Sequence, residues 1–267
     1  MINIATLIKN KKVLLMGVLN VTPDSFSDGG KFNSIKKALA QAKKLIKEGA
    51  DILDIGGESS GPNSQNVSLA EELNRVIPII KALRKFTEIP ISIDTYKSQV
   101  AEEALKAGAN IINDVTALRG DKNMAAVAKK HQCHLILMYS KDPTARTTTQ
   151  ETKYKDVIAT IKDFLKKQLN YAVKNGIKKS NLIIDPGMGG FISMLPKYSY
   201  EILARLKELK SLKLPILIGV SRKSFLGGPI DQRDQKSAAL AAIAYLNGAS
   251  IIRTHNITAT KECLKWI

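Results

Sequence analysis

Cysteine is scarce in this 267-residue chain. Cys133 and Cys263 stand too far apart to frame a disulfide scaffold, so the chain reads as one kept reduced in the cytoplasm. Aromatic residues make up only 5% and show no stacking spacing, which argues against a nucleic-acid platform. No apolar run approaches the ~20 residues needed to cross a bilayer, so no membrane span is predicted. Residues 1–12 lack the apolar stretch and cleavage site of a secretory leader. Acidic residues are also few, 24 against 41 Lys and Arg, for a net charge of +17. The excess is mostly Lys spread around predicted helices (Lys36, Lys37, Lys43, Lys44, Lys47, Lys162, Lys166, Lys167). It reads as a solvated basic surface that steers small anions, with no nucleic-acid partner. His131, Cys133 and His134 straddle a helix-to-strand transition and are not expected to converge on a metal.

What the chain does have is repetition. Short runs rich in Ile, Val and Leu recur at 13–20, 52–56, 91–94, 111–114, 135–139, 182–185, 216–220 and 251–255. Continuous rather than alternating apolar runs are expected of parallel strands covered on both faces. Amphipathic segments predict helices at 34–48, 68–85, 97–107, 121–130, 154–175, 200–210, 235–246 and 258–266. Ser68-Leu-Ala-Glu71 is a capping-box pattern, and Gly49, Gly108, Gly176 and Gly248 follow helices where a left-handed C-cap is wanted. These strand–helix units, with no break in composition, predict one α/β domain over 1–267, a (β/α)8 TIM barrel. The doubly wound alternative lacks a Gly-x-Gly-x-x-Gly loop after the first strand. The long connections 22–33 and 141–153 are expected on the catalytic face, as lids.

In such a barrel the site lies where strands end and βα loops begin. Those positions hold Asn20, Glu58-Ser59-Ser60, Asp94, Asn113-Asp114, Asp185, Ser221-Arg222-Lys223-Ser224, and Arg253 with His255. Asp114 is explained well enough as a cap for the following turn. Asp94, Asp185, Lys223 and Arg253 converging on one mouth are not so explained. Two carboxylates and the Asn113 amide suit a flat heterocycle with amino and amide edges. Paired acids also suit glycoside hydrolysis, but Lys223, Arg253 and His255 point to an anion. Arg253 and His255, two apart on one strand, are expected to face the same side and grip phosphate oxygens together. Asn20 offers an oxygen to Mg2+, which binds through few protein groups plus the substrate's phosphates. A heterocycle carrying a diphosphate uses both halves.

The motifs Asn20-Val-Thr-Pro-Asp-Ser-Phe-Ser-Asp-Gly-Gly30, Asp54-Ile-Gly-Gly-Glu-Ser-Ser60, Ser92-Ile-Asp94, Ile112-Asn113-Asp114, Asp185-Pro-Gly187, Ser221-Arg-Lys-Ser224 and Ile252-Arg-Thr-His255 resemble those of dihydropteroate synthases, in the family's order and across nearly the whole chain. The resemblance implies a pterin-binding TIM barrel that condenses 6-hydroxymethyl-7,8-dihydropterin diphosphate with p-aminobenzoate, giving dihydropteroate and pyrophosphate. It implies Mg2+ as cofactor, held by Asn20, and a homodimer. Asp94, Asn113, Asp185 and Lys223 would line the pterin pocket. Asn20, Arg253 and His255 would hold the diphosphate, Ser60 would touch the substrates from the second loop, and Lys223 with Ser224 would lie near p-aminobenzoate. Asp94, Asp185, Lys223 and Arg253 would be the catalytic set.

Departures from the family pattern fall on the p-aminobenzoate side. Gly61 stands where the family commonly has Arg, Met188-Gly-Gly-Phe191-Ile192 replaces the usual Phe-Gly-Phe-Gly-Lys, and Met138-Tyr139 replaces Met-His. Met188-Gly189 with Ser221-Arg-Lys-Ser-Phe-Leu-Gly227 looks most like the transferable sulfonamide-resistant forms of the enzyme, and the replaced Arg and the paired Ser59-Ser60 also fit those forms. A methyltetrahydrofolate-binding methyltransferase barrel shares the pterin logic but needs no diphosphate clamp. A basic RNA-binding or scaffold protein would show clustered cations with exposed aromatics.

Overall fold

Parallel pairing dictates the architecture. The computed structural model describes residues 4–21, 31–62 and 64–267, without the side chains of residues 5 and 31–34. Its strands are β1 (Leu14–Asn20), β2 (Ile52–Gly56), β3 (Ile91–Asp94), β4 (Ile111–Asp114), β5 (His134–Met138), β6 (Leu182–Asp185), β7 (Leu217–Ile218) and β8 (Ile251–Thr254). They form one eight-stranded parallel sheet in the order β6-β5-β4-β3-β2-β1-β8-β7. A parallel bridge between Ile184 and Ile216 joins its two edges and closes the TIM barrel. Helices α2 (Lys31–Glu48), α3 (Leu69–Leu83), α4 (Ser98–Lys106), α5 (Met124–His131), α6 (Val157–Lys174), α7 (Pro196–Arg205), α8 (Arg233–Leu246) and α9 (Ile257–Leu264) alternate with the strands. Their apolar stripes pack on outward residues such as Leu53, Ile55, Ile93, Ile112 and Leu135.

The barrel interior is a separate core. Leu14, Met16, Ile52, Ile111, Ile136, Ile183, Leu217 and Ile251 fill its lower half. Helix α1 (Ile4–Lys11), which the periodicity did not predict, plugs that end with Ile4, Leu7 and Ile8. Eight residues carry too little pattern to announce a helix, and docking on the core supplies its stability. Other boundaries moved for local reasons. Pro196 takes the first turn of α7, where its missing N–H costs nothing, so the helix starts before the predicted 200. The chain then tightens into a 3-10 helix at Leu206–Leu212 and ends at Lys213 in a left-handed conformation (φ 56°). Strand β7 is shorter than predicted because its contact with β6 is the single bridge.

The predicted caps are present. The Ser68 hydroxyl accepts from the Glu71 amide at 3.2 Å, while the Glu71 carboxylate turns to Arg75, so half of the capping box forms. Gly49, Gly108, Gly176 and Gly248 all have positive φ, from 85° to 115°. Among the described residues, no helix is long and apolar enough to cross a membrane. Of the connection 22–33, expected to act as a lid, residues 22–30 lie outside the described residues, and α2 has already begun at Lys31.

Candidate active site

Register brings the polar strand ends to one level. Asn20 pairs with Gly56, Gly56 with Asp94, and Asp94 with Asn113. Gly56 leaves the space between its neighbours open: a Cβ there would lie 3.8 Å from Asn20 Oδ1 and 3.9 Å from Asp94 Oδ2. Because strand residues alternate faces, the side chains at 54, 94, 113, 185 and 253 all enter the barrel. There the apolar lower core gives way to a polar upper one.

Arg253 is the hub. Its Nε donates to Asp54 Oδ2 at 2.5 Å, and its Nη2 donates to Asp94 Oδ2 at 2.9 Å. Nη1 has no partner among the described residues. Asn113 Nδ2 donates to the same Asp54 oxygen at 3.2 Å. The other Asp54 oxygen and the Ser92 hydroxyl are buried without a partner among the described residues. A buried orphan acceptor is costly, so these atoms suit a ligand that brings donors. Asp185 Oδ1 accepts the Gly187 amide at 2.7 Å. Opposite it, the Lys223 ammonium lies over the Phe191 ring, 4.5 Å from its centroid.

Burial dominates the electrostatics. It raises the Asp94 pKa to about 7, Arg253 opposing and Asp54 adding to the rise. It raises Asp185 to about 6 against the pull of the Gly187 amide and Lys223. Burial, with Arg253 beside it, lowers Lys223 to about 8. Desolvation works against the charged Arg253, but Asp54 and Asp94 outweigh it, and the guanidinium stays protonated. Such perturbed groups cluster where binding or chemistry is done.

His255 and Arg253 do not share a partner. His255 Nδ1 lies 2.9 Å from Ser221 Oγ, and the same oxygen accepts the His255 amide at 3.1 Å. The hydroxyl hydrogen is then free for Nδ1, which leaves the ring proton on Nε2 as a donor. Burial and the cations Arg253, Arg222 and Lys223 drive the His255 pKa down to about 3, so the ring is neutral. It lines a cleft of about 490 Å3 with Lys44, Arg222 and Asn256. Arg222 is held there by Asp234, through contacts of 2.7 and 2.9 Å.

The remaining predicted positions sit on the rim. Asn20 is exposed at the end of β1, and Ser224 is exposed at the start of a 3-10 turn, Ser224–Leu226. The Ser60 carbonyl accepts from the Thr147 amide at 3.2 Å. Ser60 also lines a small cleft with Asp94, Tyr96, Val115 and Ala145. Asp114 is structural, as expected: it accepts from the Thr116 amide and hydroxyl and from the Leu118 amide at 2.6–2.8 Å. Between His131 and His134 the chain reverses through Gln132 in a left-handed conformation (φ 50°). No group of three or more His, Cys, Asp or Glu able to hold a metal occurs among the described residues.

Asp54 is a site residue that the sequence does not single out, although it opens the motif Asp54–Ser60. Its signal was an acid in the middle of a strand that is otherwise apolar, on the same face as Ile52 and Gly56. Arg146 and Lys97 carry no such signal.

The chain matches the pterin binding enzyme family over residues 16–255. It is 42% identical to the dihydropteroate synthase of Synechocystis sp. over 96% of this chain and 89% of that protein. Among solved structures, it superposes on Xanthomonas albilineans dihydropteroate synthase with 4-aminobenzoic acid at a TM-score of 0.88, with 38% identity, covering 95% of this chain and 91% of that one. The same enzyme in complex with 7,8-dihydropteroate gives a TM-score of 0.85 at 38% identity, covering 95% and 92%.

Proposed function

Given that the chain belongs to the pterin binding enzymes, as a dihydropteroate synthase of folate biosynthesis, we propose how its residues divide the work. The pterin lies in the barrel mouth on Asp54, Asp94, Asn113, Asp185 and Lys223. The observation that carries this is the buried Asp54 oxygen without a partner, beside an amide and two further carboxylates. Carboxylates and amides there accept and donate along the heterocycle's amino and amide edge, and the Phe191–Lys223 pair flanks it.

The diphosphate lies at the rim. Arg253 Nη1 and the Nε2–H of neutral His255 are the donors left for it, and Arg222 and Lys44 add positive potential around the His255 cleft. Asn20 is a single neutral oxygen ligand, which fits an Mg2+ that arrives with the diphosphate and not one caged by protein. Bound there, Mg2+ would neutralise charge on the leaving diphosphate. The bond from the pterin methylene carbon to the diphosphate oxygen breaks, and Asp94 and Asp185 stabilise the cation-like pterin. The uncharged aryl amine of p-aminobenzoate forms the new carbon–nitrogen bond and releases one proton. No protein nucleophile is needed. Lys223 and Ser224 lie near p-aminobenzoate. The protein works as a homodimer of such barrels.

The strand-six loop bears on drug selectivity. Phe191 is buried against Val115, Met138 and Ala145, at the side of the mouth given to p-aminobenzoate. A ring held there narrows that side of the mouth, so sulfonamides, bulkier than p-aminobenzoate, inhibit this enzyme weakly. Calorimetry tests the pterin pocket: Asp185→Ala should lose pterin affinity by about a hundredfold, as expected for a truncated charged hydrogen bond. Unchanged affinity would remove Asp185 from the site.

A further inference from the structure

The connection from β2 to α3, residues 57–68, reads Gly-Glu-Ser-Ser-Gly-Pro-Asn-Ser-Gln-Asn-Val-Ser. It has almost nothing apolar to bury and no Lys or Arg of its own. A loop of this composition gains little from the hydrophobic effect, so polar contacts from outside must offset its ordering entropy. Three imported cations supply them. Arg75 Nη1 donates to the Gly57 carbonyl at 2.6 Å, and Lys97 Nζ donates to the Val67 carbonyl at 2.8 Å, holding the two ends. The middle is held by Arg146, which comes from the loop after β5.

Its guanidinium spreads across the loop. Nε donates to Ser64 Oγ at 2.9 Å, Nη2 to the Gln65 carbonyl at 2.5 Å and to Glu58, and Nη1 to Asn66. Glu58 is nearly buried and is shared, one oxygen with Arg146 and the other with Lys97. The next residue, Thr147, donates its amide to the Ser60 carbonyl. The Arg146 side of this joint is braced by hydrogen bonds of its own. Asp142 accepts both the amide and the hydroxyl of Thr148 at 2.9 Å, and Arg119 donates to the Asp142 carbonyl. That loop is in turn fastened to the strand-six loop. Lys141 donates its amide to the Phe191 carbonyl at 2.8 Å, Ala145 packs against Phe191, and a Cβ on Gly190 would lie 2.8 Å from Thr147 Oγ1.

We propose that Arg146 is a positioning residue that locks residues 57–62 and 64–68 to the loops after β5 and β6, and so sets the shape of the p-aminobenzoate side of the site. The inference rests on the assignment of that side to p-aminobenzoate. A planar fork with five donors reaches four acceptors at once, which an ammonium cannot do. Arg146 contacts none of Asp54, Asn113, Asp185 or Lys223, so its loss should spare the pterin pocket.

Arg146→Ala and Arg146→Lys in the full chain separate these claims. Without substrates, hydrogen exchange of residues 57–68 should speed up by about tenfold or more in both variants, while the barrel-strand amides stay protected as a check on folding. With substrates, KM for p-aminobenzoate should rise by about tenfold and KM for the pterin diphosphate by less than about twofold. Unchanged exchange in 57–68 would overturn the positioning. Faster exchange with an unchanged p-aminobenzoate KM, or with both KM values rising together, would overturn its link to that substrate. A wild-type protein that makes no dihydropteroate would instead defeat the functional reading, and the exchange result would still judge the lock.

Discussion

Asp185 is buried with one oxygen on the Gly187 amide, and its pKa stands near 6 because burial disfavours its charge. A carboxyl raised above its ordinary value is relatively favourable at low pH, and that advantage is lost as pH rises through the folded pKa. Asp185→Asn should therefore raise Tm at pH 8, with the gain fading as pH falls from about 6 towards 4; thermal melts across that range check it. The same groups set activity. Pterin binding needs ionised carboxylates and a charged ammonium. So kcat/KM should climb as Asp185 and Asp94 ionise, near 6 and 7, and fall as Lys223 loses its proton near 8. His255, near 3, should add no limb between. A pH–rate profile flat from 5 to 9 would contradict this reading. Most of these side chains were legible in the sequence because strand ends and family motifs coincide. What was not legible is pairing: nothing in linear order says that Arg253 would sit on Asp54, 199 residues away, or that His255 would turn to Ser221.

At the scale of elements, the loop after β6 decides the most. Gly187 has φ 71°, and a Cβ there would meet the Tyr139 carbonyl oxygen at 2.3 Å. Gly187→Ala should cost about 1–3 kcal/mol or more, since backbone cannot yield as a side chain does; denaturant unfolding measures it. The same loop should govern sulfonamides. Sulfamethoxazole should inhibit this enzyme much more weakly than a typical family member at matched p-aminobenzoate saturation, and deleting or swapping Gly190-Phe191 should restore inhibition. A sensitive inhibition constant in the parent protein would refute the role given to Phe191. The strands and main helices could be read from buried runs and amphipathic spacing. Helix α1 and the early start of α7 could not, because docking on the barrel floor and a Pro at the first turn fixed them. Arg146 was equally hidden, in a polar stretch with no pattern to mark it.

For the molecule as a whole, the barrel separates stability from chemistry along its axis. Apolar residues and α1 fill the floor, while buried carboxylates, an amide and two cations fill the mouth. Diphosphate binding should be Mg2+-dependent and should rest on Arg253 and His255. Arg253→Lys should lose much of it, because a compact ammonium cannot reproduce the planar, two-pronged contact of a guanidinium. Calorimetry with pyrophosphate, with and without chelator, checks both points. The division of the mouth into a pterin half and an anion half is the central claim, and one experiment bears on it directly. Pterin diphosphate, p-aminobenzoate and Mg2+ are mixed with the wild-type and Asp185→Ala proteins, and dihydropteroate and pyrophosphate are both quantified. The account predicts equal amounts of the two products from the wild type and almost none from the variant. Pyrophosphate without dihydropteroate, or full turnover by Asp185→Ala, would contradict it.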